Sequence, residues 1–380
     1  MQLHRIRAPG DLMRIGLITS DLSSENGWAT YSLNLIRQLG ARGIAATIVC
    51  ARNSPAVEFP IHRLLPTVTP PERHTFLKSL APIGQARRLL RGCDIVHCTI
   101  EPYAILAAAV AGDRPLFITA HGSYVNLPRM RRFPVGNLYR RAFARARLIC
   151  VSRYTAQVAL EQNPGAQVQV INNGVDVARF QQPSPLRVDK RGPTVVTAGG
   201  IKPRKGTLQL VEAMAVLRAR VPNAQCLIMG NPQRGSAYAA QVERRIAELG
   251  LDDCVRIMGF VEDDLMRAWM AEADVFALPA RNDGLFFEGF GLVLVEAGAA
   301  GTAVVGADGC GVADAIEDGV TGLVISQQNA AEELPRALLE LLENPARAAR
   351  MGAAGRRRAQ AQTWASVAEQ VIDLYQAALG

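Results

Sequence analysis

The sequence predicts an α/β protein of two domains, each with a parallel sheet covered by helices on both faces. Short runs rich in β-branched residues alternate with helix-length segments along all 380 residues, a pattern typical of parallel sheets. The length exceeds what one ordinary hydrophobic core supports. A polar, proline-containing stretch over 181–193 separates two similar halves, and we expect the domain boundary there.

The composition indicates a soluble globular protein. Hydrophobic residues make up 49% of the chain and charged residues 20%, which excludes the disordered and membrane-embedded classes. The first dozen residues contain no apolar segment of the signal-peptide type, and the apolar run 104–111 is too short to span a bilayer, so we expect a cytoplasmic protein. Seven cysteines without a CxxC pair favour buried free thiols over disulfides or a zinc site.

The net charge of +8 favours anionic partners. We expect no nucleic-acid binding, because the sequence contains no helix-turn-helix, zinc finger or basic strand with interleaved aromatic residues. Part of the charge is local, since the segment from Arg129 to Arg147 contains seven arginines and no acidic residue. A solvated helix face is the simplest interpretation. The alternative is a peripheral surface for anionic lipid, at the inner face of the membrane, or for a phosphate-bearing acceptor.

The first half of the sequence contains six predicted strands, at 13–19, 44–50, 94–98, 115–121, 146–152 and 168–171.

Two of these strands are followed by a glycine at a position where a ligand could bind. Gly27 follows the first of these and begins a helix, so it could let a ligand approach the backbone, or it could be only a turn residue. His121, before Gly122, ends the strand 115–121, where it could donate a hydrogen bond to a sugar. A lone histidine at such a place is more often structural.

The second half contains predicted strands at 194–200, 226–230, 254–260 and 274–279 and predicted helices at 236–249 and 263–272.

A basic turn follows the first of these strands. Lys202, Arg204 and Lys205 lie where the strand 194–200 ends and a helix begins. Such a turn offers both positive charge and backbone donors to a phosphate, although a solvated turn would have the same composition.

Two carboxylates bracket a glycine-aromatic-glycine turn over 285–301. Glu288 precedes Gly289, Phe290 and Gly291, whose N–H groups should point away from the helix that follows. Glu296 lies further along that helix, roughly 7 Å from Gly291 at about 1.5 Å per residue. The two carboxylates could therefore bind the two hydroxyl-rich ends of one nucleotide-sugar.

A purely structural interpretation of this stretch has Glu288 capping the helix and Glu296 exposed to solvent. It is less consistent with the sequence around Glu296, which is apolar on both sides. An unpaired carboxylate buried there would cost several kcal/mol. We therefore expect Glu296 to have a partner.

The run EGFGLVLVEAGAAGTAVVG resembles the Glu-x7-Glu signature of family 4 of the retaining glycosyltransferases with the GT-B fold. INNGVDVARF at 171–180 is similar to the hinge of that family, and Lys205-Gly206 matches the end of its Gly-Arg-x4-Lys-Gly pattern. Gly200 occupies the arginine position, so Lys202 or Arg204 would supply that charge. The resemblance extends over nearly the whole chain.

The resemblance implies two Rossmann-like, doubly wound domains that face each other across a cleft. The N-terminal, acceptor-side domain would span 1–180, with a linker at 181–193. The nucleotide-sugar domain would span 194–358, and a C-terminal helix within 359–380 would cross back to the first domain.

The resemblance also implies the roles of the site residues. Lys205, Glu288 and His121 would be catalytic. Glu288 would hold sugar hydroxyls, Glu296 the ribose, and Val261 the base through its backbone. The donor-binding set is Gly27, Lys202, Arg204, Lys205, Val261, Glu288, Gly289, Phe290, Gly291 and Glu296. Transfer would retain the anomeric configuration through an oxocarbenium-like state, to an unknown hydroxyl acceptor.

No cofactor or metal is expected. The sequence contains no Asp-x-Asp motif to hold a bridging Mg²⁺, and residues 262–264 read as a helix start. One lysine about 4 Å from a phosphate contributes on the order of 4 kcal/mol at an effective dielectric near 20. Lys205 with a second basic residue and helix N-termini could therefore replace the metal.

Three other functions remain open. A two-domain sugar-binding protein would share the layout but would normally be exported. A nicotinamide oxidoreductase would need Gly-x-Gly-x-x-Gly after the first strand, and residues 20–28 lack it. A nucleotide-sugar-binding protein with weak catalytic activity would share the whole site.

Overall fold

The computed structural model describes residues 13–23, 26–68, 75–231 and 236–380, which form two compact units. Unit 1 contains residues up to 150, together with 159–169 and 368–380. Unit 2 contains 151–158 and 170–367. Residues 151–158 and 170–193 thus pack in unit 2, although the sequence places them in the predicted first domain and linker. Part of the predicted loop after the first strand, at 24–25, lies outside the described residues.

Unit 1 has a seven-stranded sheet in the order β3-β2-β1-β4-β5-β6-β7. The strands are β1 Arg14–Ile18, β2 Ala45–Ala51, β3 His62–Leu65, β4 Ile95–Cys98, β5 Leu116–Ala120, β6 Arg147–Cys150 and β7 Gln167–Val170. Registers from β3 through β6 are parallel. Every residue of β4 and β5 is buried, and all but His97 and Thr119 are apolar, as expected of a sheet with helices on each side.

The helices up to the end of β7 are α1 Gly27–Ala41, α2 Thr75–Leu80, α3 Ile83–Leu89, α4 Ala104–Ala111, α5 Leu127–Met130, α6 Val135–Arg145 and α7 Arg153–Gln162. The side chain of Asn26 caps α1 by accepting the N–H of Ala29 at 3.0 Å. This cap places Gly27 in the first turn of α1, at the carboxyl end of β1.

Unit 2 has a six-stranded parallel sheet in the order β10-β9-β8-β11-β12-β13. The strands are β8 Thr194–Ala198, β9 Gln225–Met229, β10 Val255–Gly259, β11 Val275–Leu278, β12 Ala303–Ala307 and β13 Gly322–Ile325. The remaining helices are α8 Val177–Gln181, α9 Thr207–Arg220, α10 Ala237–Glu248, α11 Asp263–Glu272, α12 Leu292–Ala300, α13 Ala330–Glu343, α14 Pro345–Ala361 and α15 Trp364–Leu379.

The structure confirms the α/β class with two parallel, Rossmann-like sheets. Each sheet has one place where the strand order reverses, between β1 and β4 in unit 1 and between β8 and β11 in unit 2. Ligands of open parallel sheets bind outside the carboxyl ends of the strands at such switch points. The loops that follow these four strands are therefore the first place to look for a site.

Three strands were not predicted from the sequence. Strand β3 has only four residues, and two of them are the exposed His62 and Arg63 at a sheet edge, so the hydrophobic pattern is too short to read. Strands β12 and β13 lie within the glycine-rich run 302–325, where glycine obscures the β signal. All seven cysteines are free and buried, as expected.

The final helix contributes to the core of unit 1. Tyr375 of α15 is fully buried, and its hydroxyl lies 2.5 Å from Nδ1 of His97 on β4. The other ring nitrogen of His97 lies 2.8 Å from the hydroxyl of Thr119 on β5. These polar contacts satisfy the buried imidazole and anchor α15 on the sheet.

Candidate active site and family

The unit 2 site begins with a tight turn after β8. Pro203–Lys205 forms one turn of 3₁₀ helix, and Gly206 joins it to α9 with φ at +70°. A Cβ on Gly206 would lie 1.8 Å from the carbonyl oxygen of Pro279, which follows β11. Only glycine allows both this backbone conformation and this close approach. The turn after β8 is thereby held against the loop after β11.

That approach brings Lys205 to Glu288. The ammonium nitrogen of Lys205 lies 3.1 Å from Oε2 of Glu288, and Nε of Arg204 lies 3.9 Å from the same oxygen. The side chains of Lys205 and Glu288 are only 14% and 12% exposed, so solvent screens this pair weakly.

The pKa values of the cluster reflect this crowding. Burial acts to raise the pKa of Glu288, but the charges of Lys205 and Arg204 outweigh it and hold that pKa below its ordinary value. Desolvation, with the charges of Arg204 and Lys205, lowers the pKa of Lys202. Three cations around one carboxylate leave an excess of positive charge, which suits a polyanionic ligand.

The turn from Glu288 to Gly291 offers backbone donors. Gly291 caps α12 with φ at +82°, a conformation that favours glycine. Among the residues that the structure describes, the N–H groups of Gly289, Phe290 and Gly291 donate no hydrogen bond. The side chain of Phe290 is 3% exposed and packs in the core, so it anchors the turn while its N–H remains available. These three N–H groups are therefore available to a ligand.

Gly311, after β12, fixes the same turn from the other side. Its N–H donates to the carbonyl oxygen of Glu288 at 2.9 Å, and a Cβ there would lie 1.9 Å from the carbonyl oxygen of Gly289. Its N–H is already used, so it supports the turn and is not itself a free donor.

Glu296 is buried on α12 without a side-chain partner in the described part of the chain. It is 8% exposed and forms no hydrogen bond or ion pair there, although a partner was expected. Burial raises its pKa to about 7, with the charge of Arg179 acting against that shift and the charge of Asp263 adding to it. A buried carboxyl group without a protein partner is suited to bind a hydroxyl ligand.

Val261 lies in the loop between β10 and α11, at the same edge of the sheet. Its side chain packs against the core, and its backbone forms no hydrogen bond with other described residues. The exposed Phe260 precedes it, with 62% of its surface accessible. Residues 262–264 begin α11, as the sequence indicated.

Gly27 and His121 belong to unit 1, at the carboxyl ends of β1 and β5. The ring of Tyr31, on α1, contacts the His121 ring edge to face at 4.9 Å between centroids. The ring centroids of Trp28 and Tyr124 lie 5.3 Å apart. A Cβ on Gly27 would meet no atom within 4 Å, so packing does not require a glycine there.

The role of His121 as a hydrogen-bond donor needs correction. Its Nε2 lies 2.8 Å from the carbonyl oxygen of Thr99, and a carbonyl can only accept, so the proton on Nε2 is already used. Burial lowers the pKa of His121 to about 4, which keeps the ring neutral at pH 7. The remaining nitrogen, Nδ1, can only accept a hydrogen bond.

Glu101, which is 1% exposed just after β4, was not predicted from the sequence as a site residue. Its Oε1 accepts the N–H of His121 at 2.7 Å. The available signal was an acidic residue three positions beyond the end of a fully buried strand. Parallel strands bring such a residue beside the residue that follows the next strand.

Two further observations concern the described residues as a whole. None of their helices is long and apolar enough to cross a membrane. No group of three or more His, Cys, Asp or Glu side chains among them is arranged to hold a metal ion.

Comparison with known proteins identifies the family and the fold of the chain. The family "Glycosyl transferases group 1" matches residues 178–358, and "Glycosyltransferase Family 4" matches residues 25–179. The chain is 33% identical over 305 residues to a GDP-mannose-dependent alpha-(1-6)-phosphatidylinositol monomannoside mannosyltransferase of Mycobacterium tuberculosis, covering 76% of this chain and 77% of that protein. It is 32% identical over 228 residues to a D-inositol 3-phosphate glycosyltransferase of Jonesia denitrificans, covering 55% and 51%.

Solved structures share the same architecture. Anabaena HepE, in complex with UDP and glucose, matches with a TM-score of 0.77 at 18% identity, covering 96% of this chain and all of that one. Sucrose-phosphate synthase from Thermosynechococcus elongatus matches with a TM-score of 0.80 at 23% identity, covering 96% and 98%. The fold is the GT-B fold, and the two family matches make the chain a glycosyltransferase. The chain belongs to family 4 of the glycosyltransferases.

Proposed function

We propose that this protein transfers a hexose from a nucleoside diphosphate sugar to a hydroxyl acceptor, with retention of anomeric configuration and without a metal ion. The observation that carries this proposal is the free N–H row of Gly289 to Gly291 beside the cluster of Lys205, Arg204 and Glu288. Donors and cations converge on one place, where a sugar diphosphate would present both hydroxyls and negative charge.

In this mechanism the bond between the anomeric carbon and the diphosphate oxygen breaks, and its electron pair leaves with the diphosphate. Lys205 and Arg204 stabilise that charge as it develops. The acceptor oxygen bonds to the anomeric carbon on the face that the diphosphate leaves, and the acceptor proton passes to the departing diphosphate. Glu288 orients the sugar hydroxyls, Glu296 the ribose, and Val261 the base.

We propose GDP-mannose as the first donor to test, with UDP-glucose as the alternative. The names of the similar proteins of Mycobacterium tuberculosis and Jonesia denitrificans favour an acceptor that contains inositol and a phosphate group. The sequence similarity to the mannosyltransferase favours GDP-mannose, whereas the UDP complex of HepE supports only the fold.

A thermal-shift screen of GDP-, UDP- and ADP-sugars tests the donor, because a ligand at about 100 times its Kd stabilises by roughly 2.7 kcal/mol. Released nucleoside diphosphate then measures turnover, and the anomeric NMR signal of the product reports retention or inversion. Turnover should survive EDTA. If the protein binds a nucleotide-sugar but transfers sugar to no inositol phosphate acceptor, the alternative of a weakly catalytic binding protein is favoured. An inverted anomeric configuration in the product, or loss of activity in EDTA, would contradict the mechanism.

A peripheral contact with anionic membrane is a second proposal, from the Arg129–Arg147 segment. Arg129, Arg132, Arg140 and Arg141 are exposed, and Phe133, which follows Arg132 in the chain, is 85% exposed. Exposed arginines and an exposed aromatic ring in one segment suit the boundary between lipid headgroups and acyl chains. Arg145 is less available, because its guanidinium donates to the carbonyl oxygens of Gly112 and Arg114.

A further inference from the structure

Glu101 is a buried carboxyl group at the switch point of the unit 1 sheet. It follows β4, one of the two strands between which the strand order reverses. Only 1% of its surface is exposed, and the mechanism proposed above does not use it. Burying a carboxyl group is costly, so its contacts should explain why it is there.

The carboxyl group of Glu101 fixes the backbone that follows β5. Its Oε1 accepts the N–H of His121 at 2.7 Å, and the N–H of Gly122 also interacts with the carboxyl group. Gly122 has φ at +141°, a conformation that other residues rarely adopt. Oε2 is buried and has no hydrogen-bond partner among the described residues. One carboxyl group therefore holds two successive peptide groups at the site edge.

The backbone that follows β4 also fixes the imidazole ring of His121. The carbonyl oxygen of Thr99, two residues before Glu101, accepts the proton on Nε2 of His121. The ring of Tyr31 contacts the imidazole from the side. The backbone of His121 is thus held by Glu101 and its ring by Thr99, so the lone pair on Nδ1 has a defined direction and protonation state.

We propose that Glu101 is a positioning residue for sugar recognition, holding His121 so that its Nδ1 accepts a hydrogen bond from a hydroxyl group of the donor sugar. A phosphate or carboxylate oxygen is excluded as the partner, because two acceptors repel each other. This inference deepens the proposed function and rests on it.

A double-mutant cycle between Glu101 and His121 tests the inference. The variants are Glu101→Ala, His121→Ala, the double variant and Glu101→Gln, assayed with GDP-mannose or UDP-glucose, whichever stabilises the wild type more. We expect Glu101→Ala to lower kcat/KM about tenfold, and to lower it less than about twofold in the His121→Ala background, because both changes remove one contact. Glu101→Gln keeps a carbonyl acceptor and should stay within about threefold of wild type. Binding of free GDP or UDP should not change.

A matched control is Asp94→Ala, at the opposite end of β4. Oδ2 of Asp94 accepts the N–H of Arg14 at 2.8 Å, so it is also a carboxylate that ties a neighbouring strand by its backbone. This variant should lower the melting temperature without lowering kcat/KM. If Glu101→Ala does not fold, Glu101→Asp replaces it in the cycle. The aspartate side chain is one methylene shorter, so its carboxyl group should reach the N–H of His121 less well and kcat/KM should fall more than in Glu101→Gln.

The outcomes separate this inference from the proposed function. If the wild type is active but Glu101→Ala lowers kcat/KM as much in the His121→Ala background as in the wild-type background, the positioning role is overturned. It is also overturned if Glu101→Ala does not lower kcat/KM at all. An equal loss of kcat/KM for Asp94→Ala would show a merely structural effect. If the wild type neither binds nor turns over any nucleotide-sugar, the proposed function fails, and the sugar role of Glu101 fails with it.

Discussion

At the residue scale, Lys205 is the group whose charge the proposed chemistry needs most. We expect Lys205→Ala to lower kcat on the order of a hundredfold, because its charge would stabilise the leaving diphosphate. Turnover should fall far more than stability, although the loss of the buried contact with Glu288 should cost some stability as well. Steady-state kinetics at saturating donor measure the loss.

Lys190→Ala is the matched control. Lys190 pairs with Asp274 at 2.7 Å in the same unit, near the start of β8 and thus at the opposite edge of the sheet. Near-normal turnover of Lys205→Ala, or an equal loss in the control, would refute the assignment of Lys205.

Glu288 and Glu296 should be distinguishable by ligand. If Glu288 holds the sugar, Glu288→Ala should weaken the intact nucleotide-sugar and leave free nucleoside diphosphate binding nearly unchanged. If Glu296 holds the ribose, Glu296→Ala should weaken both ligands, by about 1.5 to 3 kcal/mol for a charge-assisted hydrogen bond. Calorimetric titration of both variants with both ligands measures this.

Thermal melts must come first for Glu296→Ala, because Glu296 is buried on α12. Removing a buried carboxyl group without a protein partner should not lower stability. Folded variants that lose neither ligand would leave the Glu-x7-Glu stretch as a structural helix.

At the scale of the element, α1 offers a pair of glycines that separates stability from function. Gly27 and Gly40 both lie on α1, and a Cβ at either would meet no atom within 4 Å. We expect Gly27→Ala and Gly40→Ala to raise stability by up to about 1 kcal/mol each, because alanine favours the helix. Only Gly27→Ala should reduce use of the nucleotide-sugar. Unchanged kinetics in both variants would make Gly27 a simple turn residue.

The arginine-rich segment around α6 can be tested with vesicles. Arg140→Ala/Arg141→Ala should weaken sedimentation with anionic vesicles about tenfold or more at low salt, since each arginine near such a surface contributes about 1 kcal/mol. Raising the salt should release the wild type, because exposed charges are screened over about 8 to 10 Å.

The matched control is Arg350→Ala/Arg357→Ala, which removes the same charge from exposed positions on α14. Equal effects of the two double variants would indicate a general charge effect. Wild-type sedimentation that is the same with neutral vesicles would leave α6 as a solvated helix.

At the scale of the whole molecule, two buried carboxyl groups should make stability depend on pH. Burial raises the pKa values of Glu101 and Glu296 to about 7, whereas an unfolded glutamate titrates near its ordinary value of 4.5. Their contribution to stability is therefore full below about pH 4.5 and is lost as the pH rises to about 7. The thiols of Cys98 and Cys150, which face Glu101, stay neutral over this range because burial raises their pKa values. The charged groups near Glu296 are Arg179, Asp263 and Lys205.

Glutamine variants isolate this effect from the other carboxylates. Glu101→Gln and Glu296→Gln should each melt several degrees above wild type at pH 8 and about level with it at pH 4.5, because the amide does not titrate. Melting curves across this range measure the difference. A constant difference between variant and wild type at all pH values would mean that the carboxyl group does not titrate in that window.

Local sequence patterns were enough to predict the fold class and the residues proposed for most of the unit 2 site. The alternation of strands and helices depends on local patterning, and the site around Glu288, Gly289 and Gly291 is contiguous in the chain, so spacing alone describes it. The buried free cysteines and the helix start at 262–264 were likewise readable from local context.

Which distant groups meet could not be predicted from the sequence, because it depends on how the strands and loops pack. Residue spacing does not reveal that Gly206 packs on Pro279 and so brings Lys205 within 3.1 Å of Glu288. The proton position on His121 depends on the carbonyl oxygen of Thr99, and the role of Glu101 depends on β4 and β5 being neighbours in the sheet. Hydrogen bonds and ion pairs act over a few ångströms of space, and strand order, which sets those distances, is a property of the folded sheets.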